Sequence, residues 1–376
     1  MNKLGFLIFF SIYFLINSYI FIRGRQALPK EYLVQVVYTT LFLVFSLSFF
    51  VAVFFEGKIS PVITAVAENI GGFWVVVFLY FFLMIFLADI FRLADYAFGI
   101  FPDKLKANYA QVKLYYFVGV MLLLAVFSMA GYINFSNPQT VTLNLELPAK
   151  NNHAEKLTII AVSDVHLGDM IRKSRLKKYV SLINQYNPDV ILIAGDLFDR
   201  NLHTIERQGM ESELRKLKAR YGVYAVLGNH EYFGNVNKAG EIIARSGITL
   251  LKDSVVTIDN KFVLIGRDDY TNRRRKPLQQ LIANVDKNLP KILLDHQPVH
   301  LNEAQENNID LQISGHTHNG QIFPINRIVS KIYELGYGYK QKGNTHFYVS
   351  SGLGLWGAPL RLGTQSEIVK VQLNVN

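Results

Sequence analysis

The chain has 376 residues, with Lys+Arg 39 against Asp+Glu 29, a formal charge of +10 and no cysteine. That length allows two or three domains, and the missing thiols exclude disulfide frameworks and every thiolate metal site. The surplus cations are not interleaved with aromatic residues in the manner of a nucleic-acid platform, so no nucleic-acid partner is expected.

Composition divides the chain. Up to about Ile133 it is dominated by Phe, Leu, Val, Ile and Tyr; beyond Lys150 charges, glycines and short apolar runs take over, and all nine histidines lie after the break. Four stretches of the first part, near 4–22, 33–55, 71–91 and 112–133, are apolar over the about 20 helical residues that cross a bilayer. Buried helices of a soluble domain rarely lack a polar face for so long. The first stretch is also too long for a cleaved signal peptide, and "RGRQ" follows it where small residues would be needed. Residues 1–133 are therefore predicted to form an N-terminal α-helical transmembrane bundle of four spans.

Lys and Arg in short loops are retained on the cytoplasmic side. The first loop carries Arg23, Arg25 and Lys30 and the third Arg92, Lys104, Lys106 and Lys113, whereas the second has only Lys58. Loops one and three are thus expected in the cytoplasm and the C-terminal domain outside it. Asp89 and Arg92, three apart at the end of the third span, read as a pair at the interface.

Residues 134–156 are polar, contain Pro138 and Pro148, and read as a linker. Apolar runs then alternate with amphipathic ones: "LTIIAVSD", "RLKKYVSLINQY", "DVILIAGD", "MESELRKLKARY", "GVYAVLGNH". Strands separated by helices predict an α/β domain over 157–376. The runs end on Asp164, Val165, His166; on Gly195, Asp196; and on Gly228, Asn229, His230, Glu231. "KILLDHQP" ends on Asp295, His296, and "IDLQIS" runs into "GHTH" with His316 and His318. Each places carboxylate, amide or imidazole at the carboxyl end of a strand, where open α/β sheets build their sites. Singly these are turn signals; in series they are a set of metal-ligand types.

D-X-H, G-D-X-X-D, G-N-H-E, a later His and G-H-T-H in this order resemble the calcineurin-like metallophosphoesterases. The resemblance covers roughly Leu157 to Leu373, and "GHTHNGQ" with "YVSSGLGLWGAPLRLGTQSEI" is similar to its membrane-associated YkuE/YaeI-like branch. Asn319 departs from the Gly of many relatives, a change expected to touch the pocket rim and not the ligands. The fold so implied is an αββα sandwich of two mixed sheets flanked by helices. The implied cofactors are two divalent metal ions, of Mn, Zn, Fe or Co, one held by Asp164, His166, Asp196 and His318 and the other by Asp196, Asn229, His296 and His316. On an extended segment His316 and His318 would leave from one side and serve both ions. The implied chemistry is hydrolysis of a phosphodiester, phosphomonoester or pyrophosphate by a hydroxide bridging the cations, with His230 as acid on the leaving oxygen and Asp199 holding its ring.

A phosphorylated small molecule or lipid is the expected substrate and the bilayer the expected partner. Two other readings remain open: a UDP-2,3-diacylglucosamine pyrophosphatase, which the predicted orientation opposes, and a non-catalytic metal-binding receptor or scaffold. His153, His203, His300 and His346 fall outside the signature and read as linker, turn, helical and strand-edge residues. The cluster Arg273, Arg274, Arg275, Lys276 reads as a solvated loop. Four glycines among Leu353, Leu355, Trp356 and Leu360 read either as a mobile apolar wall or as a buried turn.

Overall fold

The computed structural model describes residues 3–55, 58–147 and 155–375. The chain divides into two compact units, one of Met1–Tyr132 with Gly357–Leu360 and the other of Ile133–Trp356 with Arg361–Asn376.

The first unit is helical: α1 (Lys3–Ala27), α2 (Tyr32–Phe55), α3 (Pro61–Phe98), the short α4 (Asp103–Ala107) and α5 (Tyr109–Ser136), the last running on into the second unit. Four of these are long and apolar enough to cross a membrane. They overrun the apolar stretches read from sequence because helices stop at caps and not where hydropathy falls: α3 starts at Pro61 and ends on Gly99, whose φ of 64° closes it through Gly99 N–H to Asp95 O. Two polar contacts bridge the spans, where lipid offers no partner. The Trp74 indole donates to Asn17 Oδ1 at 2.9 Å, and the Tyr13 hydroxyl to Ser46 O at 2.9 Å.

Among its described residues the second unit holds twelve strands: β1 (Gln139–Leu147), β2 (Glu155–Val162), β3 (Val190–Ala194), β4 (Val223–Val226), β5 (Thr249–Leu250), β6 (Ser254–Ile258), β7 (Phe262–Gly266), β8 (Lys291–Leu294), β9 (Leu311–Ser314), β10 (Gly338–Lys342), β11 (Thr345–Val349) and β12 (Glu367–Val375). They form two mixed six-stranded sheets, in the orders β1-β12-β2-β3-β4-β5 and β10-β11-β9-β8-β7-β6. β2, β3 and β4 lie parallel and adjacent in one, β8 and β9 in the other. Alternate residues such as Ile159, Leu192, Leu264, Ile292 and Ile313 fill the space between the sheets. The opposite faces are covered by helices: Ile160 and Ile193 pack with Leu176 and Tyr179 of α6 (Lys173–Asn184), and Val263 and Leu293 pack with Leu301 and Ala304 of the helix Leu301–Glu306. The remaining helices are short: α7 (Leu202–Gln208), α8 (Glu211–Leu214), α9 (Asn229–Phe233), α10 (Val236–Arg245), α11 (Leu278–Leu281), α12 (Leu301–Glu306) and α13 (Ile325–Ile332). Burial on both faces explains why the central strands read as continuous apolar runs.

The fold is the αββα sandwich implied by the motif order. One segment differs from its sequence reading: Gln139–Leu147, inside the expected linker, is the edge strand β1, paired in parallel with β12. Its alternation of Val141, Leu143, Leu145 and Leu147 gives it one apolar face, which the flanking prolines masked.

Candidate metal centre

The five polar exits follow β2, β3, β4, β8 and β9, so the order of the parallel strands brings their carboxyl ends to one edge of the sandwich. Beyond the strands the loops continue to pair: Asp164 N–H donates to Gly195 O at 3.1 Å, His166 N–H to Asp196 O at 3.0 Å and Gly315 N–H to His296 O at 2.9 Å. Turning a side chain inward directly after a strand requires unusual backbone. Asp164, His166, Asp196 and His318 have φ of 50° and His316 of 73°, a left-handed region costly for residues with a Cβ. The last two are therefore in a turn, not on an extended segment; His318 opens a 3₁₀ turn that ends at Gly320. Glycine makes the approach possible, since a Cβ on Gly228 would land on the Asp196 carboxylate and one on Gly195 on the His296 ring.

Among the described residues, ligand-type atoms meet in three sets, each within 4.8 Å: Asp164, His166, His318; Asp164, Asp196, His296; and His166, Asp199, His230. On one side His166 Nε2 lies 3.1 Å from His318 Nε2 and 3.7 Å from Asp196 Oδ2, and His318 Nε2 lies 3.5 Å from Asp164 Oδ1. On the other, His296 Nε2 is 3.2 Å from Asp196 Oδ2 and 3.1 Å from Asn229 Oδ1, which is 2.7 Å from His316 Nδ1. Asp196 touches both sides.

These contacts are short of protons. His296 Nδ1–H donates to Ala194 O at 2.8 Å, so a neutral ring aims the Nε2 lone pair at two oxygens. A proton or a cation must stand between them. Burial opposes charge on this ring, but Asp196 and then Asp164 outweigh it and hold its pKa well above the ordinary value. His166 is pushed down to about 3, by burial first and with help from His318 and His230. Burial, then the Arg361 charge, takes His318 well below its usual range. Two neutral imidazoles thus face each other through Nε2, and Nδ1 of each is buried without a hydrogen-bond partner among the described residues. Convergent lone pairs of imidazole, carboxylate and amide are what a divalent cation takes up, displacing any proton held in its place. The residues fit the metal.

His230 and Asp199 lie beside this cluster. His230 Nδ1 is 2.9 Å from Asp199 Oδ1, its backbone N–H donates to Asp196 Oδ1 at 2.9 Å, and its ring centroid is 4.4 Å from that of His166. Burial disfavours charge on His230, yet the bond to Asp199 and the Asp196 charge prevail and raise its pKa. Asp199 does not cap the next helix; the cap of α7 is Asn201.

A family model described as calcineurin-like phosphoesterase matches residues 157–320. The chain is 33% identical over 298 residues to an uncharacterized metallophosphoesterase of Helicobacter pylori (strain J99), covering 77% of this chain and 79% of that one. The chain belongs to the calcineurin-like metallophosphoesterase family. It is similar also to a transmembrane protein with metallophosphoesterase domain of Danio rerio, 31% identical over 67% of this chain and 61% of that one. The uncharacterized metallophosphoesterase YkuE of Bacillus subtilis is 31% identical over 56% of this chain and 76% of its own length.

Around the metallophosphoesterase cluster stand residues whose part the strand-exit pattern did not reveal. Glu231, 1% exposed, accepts from Phe198 N–H at 2.9 Å and Gly228 N–H at 2.7 Å, tying the β3 and β4 exits together. Burial first, then the Asp196 charge, pushes its pKa up to about 8. Arg361 is fully buried and donates through Nη2 to the carbonyls of Ser351 at 2.6 Å, Gly354 at 2.7 Å and Gly352 at 3.2 Å, with Nη1 3.4 Å from His318 O. Its sequence signal is a lone cation inside the apolar run "LGLWGAPLRLG".

Asp295, by contrast, turns from the cluster to Arg267 at 3.1 Å and Arg275 at 2.9 Å, so Arg275 is not part of a solvated loop. Leu353 and Leu355 are buried while Trp356 is half exposed, 6.1 Å from the His230 ring. His203 lies in α7, His346 in β11, and His300 before α12, and none of them belongs to the three ligand sets; His153 falls outside the described residues.

Proposed function

We propose that this metallophosphoesterase is a membrane-anchored hydrolase working with two divalent ions, of Mn, Zn, Fe or Co, on a phosphodiester, phosphomonoester or pyrophosphate of a lipid-linked or envelope substrate. The observation that carries the reading is Asp196, whose Oδ2 lies 3.7 Å from His166 Nε2 on one side and 3.2 Å from His296 Nε2 on the other. Asp164, His166, Asp196 and His318 would hold one ion and Asp196, Asn229, His296 and His316 the other. Bound there, the cations supply Lewis acidity toward phosphoryl oxygens and lower the pKa of water toward about 7.

The chain's own residues do the rest. Asp199 fixes Nδ1 of His230 as a donor, which leaves Nε2 as the atom that exchanges a proton with the leaving oxygen. The ion pair favours the protonated ring, the form an acid needs. Half-exposed Trp356 and Phe233, 5.7 Å from the His230 ring, offer apolar contact to the leaving group. The bias of Lys and Arg toward the first and third loops supports a bacterial cytoplasmic membrane with the catalytic unit outside the cytoplasm. Anchoring favours lipid substrates, because confinement to the bilayer raises encounter with other membrane molecules.

The test uses the full chain purified in detergent, reconstituted with each metal in turn. Two metal equivalents and release of a chromogenic phosphodiester product are expected; a folded protein that turns over no phosphoester with any of the four metals refutes the reading. Reporter fusions at Asn376 decide the side: a cytoplasmic signal there would favour a cytosolic nucleotide-sugar substrate instead.

A further inference from the structure

The sequence singled out Asp89 and Arg92, and the catalytic reading leaves them unused. Within the membrane unit they border a cavity of about 280 Å³ formed by α1, α3, α4 and α5. Its walls are apolar, with Phe81 and Ile85 from α3 and Phe117 and Val120 from α5. Its rim is charged, with Arg23, Asp89, Arg92 and Lys113.

The rim is organised by one carboxylate. Asp89 Oδ2 accepts from the Tyr19 hydroxyl at 2.5 Å and from Arg23 Nη2 at 2.6 Å, and Oδ1 from Arg92 Nη1 at 3.2 Å. Two guanidiniums are thus held at one place by a single negative charge. Lys113 stands 5.4 Å from the Tyr109 ring and Arg92 5.7 Å from the same ring, and Lys113 has no acidic partner among the described residues. Three cations against one carboxylate leave a surplus of positive charge at the mouth of an apolar hole. Arg23 also keeps its Nε buried and without a hydrogen-bond partner among the described residues.

An apolar body beneath a cationic rim matches an amphiphile with an anionic head. Free phosphate satisfies the rim but leaves the walls uncovered, and a zwitterionic lipid brings a cation of its own to arginines already in surplus. We propose that this cavity binds one anionic phospholipid, its phosphate on Arg23, Arg92 and Lys113 and part of an acyl chain along Phe81, Ile85, Phe117 and Val120. The site is independent of the phosphoesterase cluster and of the catalytic reading.

Nanodiscs of equal phosphatidylglycerol and phosphatidylcholine, carrying the full chain, provide the test through native mass spectrometry of the released protein. One retained phosphatidylglycerol is expected, favoured over phosphatidylcholine about tenfold for the surplus cations. Arg92→Gln with Lys113→Gln is expected to abolish the preference. Ala88→Trp, which fills the cavity without changing charge, is expected to abolish retention; Ala88 is among its lining residues. An unchanged far-UV circular dichroism spectrum with monodisperse elution serves as the folding control for both variants, and if one misfolds the other still decides. Equal retention of the two lipids by the wild type, or preference untouched by a folded variant, overturns the proposal. Displacement of the lipid by millimolar inorganic phosphate overturns it in favour of a bare anion site.

Discussion

Replacing Asp199 by Asn removes the anion from a 2.9 Å bond to His230 Nδ1 while keeping the shape of the side chain. A hydrogen bond to a charged group contributes about 1.5–3 kcal/mol. Asp199 is 36% exposed, against 9% for His230, so solvent screening places this one toward the lower end. At about 1.4 kcal/mol per decade, Asp199→Asn should lower kcat roughly tenfold to thirtyfold. His230→Ala should cost more, about 10²- to 10⁴-fold, because it removes the acid itself. Since Asp199 is argued to act only through His230, the double variant should be no slower than His230→Ala alone. Steady-state turnover of a phosphodiester with a poor leaving group, with metal content measured by mass spectrometry on the same samples, checks all three. His166, Asp199 and His230 also form a set close enough to hold an ion, so the metal count is decisive. Loss of a metal equivalent in His230→Ala would make His230 a ligand and refute the assignment, as would a full tenfold effect of Asp199→Asn in the His230→Ala background.

The other expectations address the cluster and its supports. Asp196→Asn should leave at most one metal equivalent and no measurable turnover; two retained ions would show that Asp196 is not shared. Gly228→Ala pushes a Cβ into the Asp196 carboxylate and should destabilise the fold by about 1–3 kcal/mol while lowering metal affinity, read by calorimetry with and without metal. In Arg361→Gln the carbonyls of Ser351, Gly352 and Gly354 lose a charged donor, and thermal unfolding should register a loss of about 3 kcal/mol or more; an unchanged transition would mean that water replaces the guanidinium. Chelation should stop turnover in the wild type, and added divalent ions should restore it.

Local pattern determined much of this protein. Long apolar stretches without a polar face mark the four helices of membrane length, and short apolar runs ending in Asp, Asn or His mark β2, β3, β4, β8 and β9 with their polar exits. Both signals are carried by neighbours in the chain, where periodicity and turn chemistry act directly. What those exits do with their side chains is a non-local matter. Asp295 and His296 are adjacent, yet one pairs with Arg267 and Arg275 and the other faces Asp196. Glu231 and Arg361 brace the cluster from positions that look like a turn and an apolar loop, and β1 finds its partner β12 at the far end of the catalytic unit. The left-handed backbone of Asp164, Asp196 and His316 is likewise unreadable from residue type, because only surrounding packing holds such a conformation against its local cost. Sequence supplied the ligand-type atoms and their order. Sheet order and burial decided which of them meet, since only there are polar groups stripped of water and forced to find one another.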